Sequence, residues 1–251
     1  FRRGQMNCLD YRPEEVPVAL KRLPAAFREF RVLQLSDLHA DGIPDTGVRL
    51  RSLLRGIKCD LCVITGDFRF DTYSEYLAAM TTTKNIVSAV KATHGIFGVL
   101  GNHDYIEFVP ELEKAGIQFL LNESTRIEKN GRSLLLAGVD DPHMYRLHDL
   151  NKALHDRRNG ELSLLLSHTP EIYSQAEEAG VDYLLCGHTH GGQICLPGRK
   201  AIISNVFCPR RYCAGLWRYG NMWGYTSRGT GSSGLAVRYF CPPEITLHIL
   251  S

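Results

Sequence analysis

The sequence contains no apolar run of the roughly 18 residues that a helix needs to span a membrane. It also contains no signal peptide, no internal repeat and no low-complexity tract. The first absence predicts that no segment of this chain crosses a membrane. Because no flexible linker divides the chain, and 251 residues are enough to bury a large core, we expect one domain.

An excess of charge of one sign is also missing. The 29 basic and 27 acidic residues give a formal net charge of +2, which is too small to indicate a nucleic-acid partner. Hydrophobic residues make up 44% and charged residues 22% of the chain. These fractions are ordinary for a globular protein and exclude a disordered or fibrous chain.

The eight cysteines do not form a convincing metal clamp. Cys59 and Cys62 have C-x-x-C spacing, but Cys62 falls in a predicted strand, where residues three apart point to opposite faces. We therefore expect buried free thiols, which suit a reducing compartment on the cytoplasmic side. Pairing stays open for four later cysteines that lie close together in sequence, namely Cys195, Cys208, Cys213 and Cys241.

Short apolar runs alternate with amphipathic segments in the first half of the chain. The runs at 32–35, 61–64 and 96–100 predict buried strands, and the segments 48–57 and 75–91 predict helices. The later chain is richer in strands, which we expect to form a second sheet packed against the first. These strands are predicted at 117–121, 133–137, 162–166, 183–186, 201–203 and 245–250, with a helix at 170–179. The pattern predicts a layered α/β architecture.

Polar clusters follow five of the predicted strands. They are Asp37-Leu38-His39, Gly66-Asp67, Gly101-Asn102-His103-Asp104, His168 and Gly187-His188-Thr189-His190-Gly191-Gly192. The carboxyl ends of strands in an open α/β sheet form a ligand-binding edge, so these residues can converge on one site. The glycines around the last histidine pair suit a loop that turns tightly and brings both rings to one centre. That pair alone would equally fit the polar end of a strand, but the other clusters favour a metal site.

The ordered set D-x-H, GD, GNHD, H and GHTH resembles the calcineurin-like metallophosphoesterase superfamily, over residues 37–190. The resemblance implies a four-layer α/β/β/α sandwich and a hydrolase of phosphoester bonds. Six carboxylate and imidazole ligands plus an asparagine suit two divalent transition metal ions, and these donors favour Mn, Fe or Zn over calcium. We expect Mn.

The resemblance also divides the ligands between the two ions. It assigns Asp37, His39, Asp67 and His190 to the first ion, and Asp67, Asn102, His168 and His188 to the second. Two such ions would lower the pKa of a bridging water, so that a hydroxide attacks the phosphorus in line and no covalent enzyme intermediate is needed.

His103 is expected to be catalytic, because it follows a ligand too closely to share its metal. We expect it to donate a proton or hydrogen bond to the leaving oxygen, with Asp104 orienting its ring and raising its basicity. The alternative is a loop histidine without a role. His143 is the other histidine expected near the cleft. Three further carboxylates are interpreted as turn formers, namely Asp71, Asp140 and Asp141.

The tail of the chain, residues 227–234 followed by Cys241-Pro242-Pro243-Glu244-Ile245, is similar to a branch of bacterial phosphodiesterases often tethered to a membrane. That branch includes some UDP-2,3-diacylglucosamine pyrophosphatases, and an apolar anchor often precedes this region. The chain starts at Phe1-Arg2-Arg3 without an initiator methionine. We therefore expect residues 1–30 to be an arm that follows a removed anchor, and residues 31–251 to be the domain. The arginine pair favours the cytoplasmic side of the inner membrane.

We expect the substrate to be a phosphodiester or pyrophosphate with an apolar part, such as UDP-2,3-diacylglucosamine, and a peripheral membrane contact. The aromatic segment 216–225 has two interpretations. Its Trp217, Met222 and Trp223 either pack in a strand pair or form an acyl-binding surface, with Arg199 or Arg210 holding a phosphate. The alternative functions are a phosphodiesterase for soluble diesters such as cyclic nucleotides, a monoesterase or protein phosphatase, and a non-catalytic binding module on the same fold.

Overall fold

Two six-stranded sheets form the centre of the computed structural model, which describes residues 1–70, 73, 76–202 and 205–251. The strands are β1 (Arg12–Val18), β2 (Phe30–Leu35), β3 (Leu61–Thr65), β4 (Ile96–Val99), β5 (Ile117–Phe119), β6 (Glu123–Lys129), β7 (Arg132–Gly138), β8 (Ser163–Leu166), β9 (Tyr183–Cys186), β10 (Cys195–Leu196), β11 (Lys200–Ala201), β12 (Gly215–Tyr219), β13 (Met222–Thr226) and β14 (Glu244–Leu250). The helices are α1 (Arg2–Asn7), α2 (Val48–Leu54), α3 (Leu77–Val87), α4 (Val109–Glu113), α5 (Leu150–Ala153) and α6 (Tyr173–Glu178). None of the helices in these residues is long and apolar enough to span a membrane.

The first sheet has the strand order β1-β14-β2-β3-β4-β5, and the second has the order β12-β13-β9-β8-β7-β6. In the first sheet β2, β3, β4 and β5 are parallel neighbours. In the second sheet β7, β8, β9 and β13 are parallel neighbours. Each parallel set places its carboxyl ends on one edge, and this edge carries the polar clusters. β10 and β11 form a separate antiparallel ribbon.

Three apolar clusters separate the layers, as the period-two pattern of a strand requires. In β2, Val32 faces the second sheet, whereas Leu33 and Leu35 face the helices that cover the first sheet. A third cluster lies between the second sheet and its own helices, around Leu165 and Ala176. The order of layers is therefore helices, sheet, sheet, helices, and the expected four-layer α/β/β/α sandwich is confirmed.

Three predicted strands do not belong to the second sheet, in which the sequence-based interpretation placed them. The segment 201–203 overlaps β11 of the separate ribbon at Ala201. The segments 117–121 and 245–250 correspond to β5 and β14, and both strands belong to the first sheet. β14 pairs with β2 and with β1, which lie more than 200 residues earlier in the chain. Because strand order along the chain does not reveal such long-range pairing, the sequence could not assign these strands.

The first 30 residues are not only an extended arm, because α1 and β1 lie within them, and β1 is the edge strand of the first sheet. The predicted helices 48–57, 75–91 and 170–179 correspond to α2, α3 and α6, and each observed helix is shorter. A one-turn helix at Pro170–Ile172 precedes α6, and Thr169 caps it by accepting a hydrogen bond from the Glu171 N–H. Of the predicted strand 201–203, Ile203 lies outside the described residues.

Candidate metal centre

The side chains that were predicted to bind metal lie where the strand ends of the two sheets meet. Asp37, Asp67 and Asn102 follow β2, β3 and β4 of the first sheet, and His168 and His188 follow β8 and β9 of the second. His39 and His190 lie in the same loops as Asp37 and His188. All seven side chains are buried. The structure thus brings the whole predicted ligand set to one place.

Five of the seven residues have a left-handed backbone, namely Asp37 (φ 49°), His39 (φ 40°), Asp67 (φ 55°), His188 (φ 68°) and His190 (φ 49°). This conformation is unfavourable for residues with a Cβ atom, and it persists only where surrounding contacts impose it. Here neighbouring loops hold one another. The Asp37 N–H donates to the Gly66 carbonyl at 2.9 Å, and the His39 N–H donates to the Asp67 carbonyl at 3.0 Å.

Two glycines permit the close approach of these loops. A Cβ atom on Gly187 would lie 1.8 Å from Ser36 Oγ and 2.3 Å from Asp37 Oδ2. A Cβ atom on Gly101 would lie 2.3 Å from Asp67 Oδ1. Any side chain at either position would therefore displace a candidate ligand or its neighbour.

The first ligand group contains Asp37, His39 and His190. The Nε2 atoms of His39 and His190 are 3.2 Å apart, and His190 Nε2 is 3.5 Å from Asp37 Oδ1. Asp67 lies beside this group, because its Oδ2 atom is 3.5 Å from His39 Nε2.

The second group contains Asp67, His168 and His188. His168 Nε2 is 3.4 Å from Asp67 Oδ2 and 3.1 Å from His188 Nδ1. It is also 3.0 Å from Asn102 Oδ1, so the asparagine joins this group. One oxygen atom, Asp67 Oδ2, consequently faces both groups.

Backbone carbonyls orient three of the four imidazoles. His39 Nδ1 donates to the Arg69 carbonyl at 2.7 Å, His168 Nδ1 to the Thr65 carbonyl at 2.9 Å and His188 Nε2 to the Asn205 carbonyl at 2.9 Å. Since a carbonyl can only accept, each ring carries a proton on that nitrogen and directs its other nitrogen into the ligand group. Such outer hydrogen bonds are usual for histidines that bind metals.

His190 differs from the other three imidazoles. Its Nδ1 atom lies 3.2 Å from Nη2 of Arg238, a fully buried arginine that also donates to the carbonyls of Arg228, Gly231 and Cys241. The sequence offered no signal for Arg238, because it belongs to none of the motifs and lies 48 residues from His190.

Burial and mutual charge shift the ionisation of individual ligands in opposite directions. Burial raises the pKa of Asp37 to about 7 and lowers the pKa of His39 to about 4 and that of His188 to about 3. Burial alone would raise the pKa of Asp67 and lower that of His168. Their mutual attraction outweighs burial, so that the pKa of Asp67 falls well below its ordinary range and the pKa of His168 rises to about 10.

The donor atoms fit divalent transition metal ions. Ligands about 2.1 Å from one ion lie roughly 3.0–3.5 Å from one another, and the separations within both groups fall in this range. Three imidazoles direct their second ring nitrogens into the groups, and a shared carboxylate supplies negative charge to both groups. Imidazole nitrogens with carboxylate and amide oxygens are typical ligands of Mn, Fe and Zn.

His103 lies at the edge of the centre, with its ring centroid 4.9 Å from that of His39. Its Nδ1 atom donates to the Phe70 carbonyl at 3.0 Å. Asp104 does not orient this ring, and that prediction is wrong. Its carboxylate instead accepts hydrogen bonds from the backbone N–H groups of Asp67, Phe68 and Gly101, each at 2.8 Å. Through these three hydrogen bonds, Asp104 holds Asp67 in its left-handed conformation.

A cavity of about 450 Å³ opens onto the centre. Asp67, Asn102, His103, His188 and His190 contribute to its polar wall, and Ile194, Ile202 and Leu235 form an apolar wall. The side chains of Ile202 and Leu235 are 52% and 57% exposed. An apolar surface therefore adjoins the candidate ligands.

The aromatic segment does not form this surface. β12 and β13 are an antiparallel pair, Trp217 and Met222 are buried in the core, and Trp223 lies on a different cavity beside Leu20 and Arg218. The interpretation as a strand pair is correct for this segment, and the acyl-binding interpretation is wrong. The two candidate phosphate-binding arginines are not among the described residues that line the 450 Å³ cavity, since Arg199 lies near Glu14 and Arg210 is exposed in a turn.

The expectation for His143 is confirmed, because its ring centroid is 4.3 Å from that of His188. His143 Nδ1 is 3.0 Å from a carboxylate oxygen of Glu171, which also accepts the Phe207 N–H at 2.7 Å. This hydrogen bond raises the pKa of His143. Glu171 therefore connects His143 to the segment whose Asn205 carbonyl accepts from His188. Only its place three residues after His168 hinted at this role.

Asp141 is confirmed as a turn former. Its buried carboxylate accepts the backbone N–H groups of His143, Met144 and Tyr145. Asp140 accepts the Asp141 N–H. Asp71 lies outside the described residues. All eight cysteines are free, and seven of them are buried.

The family model for calcineurin-like phosphoesterases matches residues 30–192, which include all seven candidate ligands. The chain belongs to the calcineurin-like phosphoesterase family. Membership identifies a metal-dependent hydrolase that acts on phosphoester bonds, and the two ligand groups imply divalent metal ions.

Two bacterial relatives of this calcineurin-like phosphoesterase cover most of its length. An uncharacterised metallophosphoesterase of Bacillus subtilis, YkoQ, is 28% identical over 98% of this chain and 93% of its own. The phosphodiesterase YaeI of Escherichia coli is 30% identical over 87% of this chain and 81% of its own.

Among solved structures, the NAD nucleotidase of Haemophilus influenzae matches with a TM-score of 0.52 and 14% sequence identity. The match covers 80% of this chain and 50% of the nucleotidase, so the chain spans about half of that protein. At this identity the match supports the fold alone.

Proposed function

We propose that this protein is a phosphodiesterase that uses two divalent metal ions to hydrolyse a phosphodiester or pyrophosphate bond. The observation that carries the proposal is the position of Asp67 Oδ2, within 3.5 Å of imidazole nitrogens from both ligand groups. A carboxylate oxygen shared in this way suits a pair of ions close together. The E. coli relative named as a phosphodiesterase supports a diester substrate.

The proposed assignment of ligands follows the two groups. Asp37, His39, Asp67 and His190 hold the first ion, and Asp67, Asn102, His168 and His188 hold the second. We propose Mn as the native metal, with Fe or Zn as alternatives. When bound, the ion pair would supply Lewis acidity toward the phosphoryl oxygens and lower the pKa of a water molecule.

His103 is the proposed catalytic residue, because it lines the cavity without belonging to either ligand group. The Phe70 carbonyl fixes its Nδ1 proton and leaves Nε2 for the substrate. A protonated Nε2 would donate to the leaving oxygen as negative charge develops there. This aid matters most for an alcohol leaving group, which is a poor leaving group without a proton.

The apolar wall of the cavity supports a substrate with an apolar part, such as a lipid-linked diester or pyrophosphate. Burying an acyl chain against Ile194, Ile202 and Leu235 would contribute about 25 cal/mol per Å². A soluble diester such as a cyclic nucleotide would leave this wall in contact with water. The lipid-linked substrate is therefore the one that this cavity favours.

The segment 183–243 supports a peripheral contact with an anionic membrane surface. Residues 183–243 contain seven basic and no acidic residues. Exposed members of this segment include Phe207, which is 90% exposed, and the basic residues Arg199, Lys200, Arg210 and Arg211. Exposed apolar side chains beside basic ones are the combination that binds anionic lipid headgroups. We place the protein on the cytoplasmic side of the inner membrane in this proposal.

Metal content and a substrate panel test the proposed activity. Protein purified without chelator is expected to carry about two equivalents of transition metal and to hydrolyse bis-p-nitrophenyl phosphate after loading with Mn. One equivalent or less after loading, or faster hydrolysis of p-nitrophenyl phosphate than of every diester and pyrophosphate offered, contradicts the proposal.

The apolar wall is tested by Leu235→Ser, with Trp223→Ala as the matched control outside the cavity. The cavity variant should lose kcat/KM on a lipid-linked diester or pyrophosphate at least tenfold more than on a soluble diester. The control should affect both substrates equally. Equal losses of kcat/KM for Leu235→Ser on both substrates would contradict the proposal of a lipid-linked substrate. The proposed phosphodiesterase activity would still stand.

Membrane contact is tested separately by sedimentation with vesicles. The protein should sediment with vesicles containing anionic lipid and not with neutral ones, and Phe207→Ser with Arg210→Gln and Arg211→Gln should reduce this binding. Equal sedimentation with neutral vesicles would contradict the proposed role of the basic residues.

A further inference from the structure

A continuous row of buried hydrogen bonds leads from the space between the sheets to the first ligand group. Its members are all fully buried and belong to both sheets. In order they are Tyr183, His248, Gln34, Thr65, Ser36 and Asp37. We call this row the polar chain.

One backbone carbonyl fixes the direction of the polar chain. The Gln34 amide nitrogen lies 3.0 Å from the Cys186 carbonyl, which can only accept a hydrogen bond. The Gln34 Nε2 group must therefore face that side, and Gln34 Oε1 must face His248 Nε2 at 3.0 Å. It follows that His248 carries its proton on Nε2 and accepts the Tyr183 hydroxyl proton on Nδ1, at 2.7 Å.

The same direction continues toward the metal centre. Gln34 Nε2 donates its second proton to Thr65 Oγ1 at 3.1 Å, so the Thr65 hydroxyl is free to donate to Ser36 Oγ at 2.7 Å. Ser36 in turn donates to Asp37 Oδ2 at 2.5 Å. Asp37 then has its other oxygen, Oδ1, directed at His190. Every donor in the polar chain points toward the metal ligand.

Packing alone does not explain this arrangement. The surrounding inter-sheet cluster is apolar, and buried polar groups destabilise a core unless each one is hydrogen-bonded. Well-packed apolar side chains would join the sheets at least as well. A row of polar side chains that are all hydrogen-bonded, and that ends on a candidate ligand, orients that ligand.

We propose that Gln34, Thr65 and Ser36 are positioning residues that hold Asp37 Oδ2 so that Oδ1 faces the first metal ion. The proposal rests on the proposed two-metal function. At Thr65 the proposal predicts different effects on the two ions. The Thr65 carbonyl accepts from His168 of the second group, whereas the Thr65 hydroxyl serves Asp37 of the first.

The proton positions are tested by NMR on the metal-loaded protein with ¹⁵N-labelled histidine. His248, identified by its loss in His248→Gln, should show a neutral ring protonated at Nε2. A ring protonated at Nδ1 would reverse the direction of the polar chain and overturn the proposal.

The positioning role is tested by replacing the Thr65 hydroxyl while retaining its carbonyl. Metal-free wild type, Thr65→Val and Thr65→Ser are titrated with Zn²⁺ against a chelating dye, which yields two dissociation constants. Thr65→Val should weaken one of them by about 10- to 100-fold, as expected for loss of a second-layer contact to a metal ligand. Thr65→Ser retains the hydroxyl and should keep both constants within threefold of wild type.

Leu136→Ala serves as the control, because it loosens the inter-sheet cluster and removes no hydrogen bond of the polar chain. It should lower Tm and leave both constants unchanged. Unchanged dissociation constants in Thr65→Val would overturn the proposal. So would a Thr65→Val that weakens both constants equally, or a Leu136→Ala that weakens them as much as Thr65→Val does. A wild type that binds fewer than two ions would instead contradict the proposed function itself.

Discussion

The two ligand groups differ in how the fold holds them and in what they face. All three members of the first group have a left-handed backbone, and neither Asp37 nor His39 is among the residues that line the cavity. In the second group His168 has an ordinary backbone, and Asn102 and His188 line the cavity. The first group therefore lies mostly away from the cavity, whereas the second lies where a substrate would meet it.

The two groups also differ in which parts of the protein hold their ligands. The first group is held from inside the protein, by the polar chain at Asp37 and by Arg238 at His190. In the second group the Thr65 carbonyl holds His168 from inside, but His188 is held from nearer the surface, where Glu171 ties the segment that contains the Asn205 carbonyl to His143. We expect the second ion to exchange faster, and the following variants separate the groups.

The largest effect is expected for Asp67→Asn, because this change removes the one charge that faces both groups. Metal content should fall from two equivalents to less than one. The kcat/KM should fall by about 1,000-fold or more, since charge stabilisation by such ions is worth several kcal/mol. Elemental analysis and diester kinetics measure both quantities. Asp140→Asn, a carboxylate outside both groups, should retain two ions, and a similar loss there would show that the effect is not specific.

His103→Ala should reduce turnover without removing either ion. General acid catalysis contributes about 100- to 10,000-fold, so kcat on an alkyl diester should fall within that range. The loss should be smaller for a p-nitrophenyl ester, whose leaving group needs no proton. A variant with normal kcat on the alkyl diester would remove His103 from the mechanism, provided that its metal content is unchanged.

Glu171→Gln should affect the second ion alone. Loss of the carboxylate weakens the hold on His143 and on the segment around Asn205, and changes of this kind cost about 10- to 100-fold in metal affinity. A two-site titration should show one weakened constant. Glu178→Gln, a change on a neighbouring helix without a described contact to the centre, is the matched control. Weakening of both constants by Glu171→Gln would mean that the two groups are not held independently.

The smallest effect concerns the pH dependence of the metal-free protein. The pKa of His39 is lowered to about 4, so the unfolded state binds more protons below about pH 6.5, and stability should fall as the pH drops from there toward 4. The pKa of His168 is raised to about 10, so its contribution to stability should be lost as the pH rises from about 6.5 toward 10. Each proton changes the free energy of unfolding by at most about 1.4 kcal/mol per pH unit. Urea unfolding at several pH values measures this, and a flat profile would contradict the opposite pKa shifts of His39 and His168.

The motifs identified the site more completely than they identified the sheets around it. Each candidate ligand follows a buried strand, and that local signal predicted where Asp37, Asp67 and Asn102 lie. Sheet membership of β14 depended on pairing with residues far away in the chain, which no local pattern encodes. The role of Asp104 was predicted from its nearness to His103 in sequence, whereas its carboxylate is occupied by loop N–H groups.

The residues that hold the ligands were the hardest to anticipate. Ser36 and Thr65 are small polar residues at strand ends, where a capping or turn role is equally ordinary. Arg238 resembles any basic residue in the tail until the fold buries it against His190. Their roles depend on contacts between distant loops, which exist only after the two sheets have packed together.

The absence of acidic residues from 183–243 has a consequence for the speed of the reaction. The proposed substrate, a phosphodiester or pyrophosphate, is an anion, and the exposed basic side chains of this segment would attract it before any contact is made. This attraction acts over a Debye length of about 10 Å at 0.1 M salt, so it raises the rate of encounter in dilute buffer more than in concentrated salt. The same field also retains the anionic product. At low ionic strength, departure of the product is therefore the step that these basic side chains would slow.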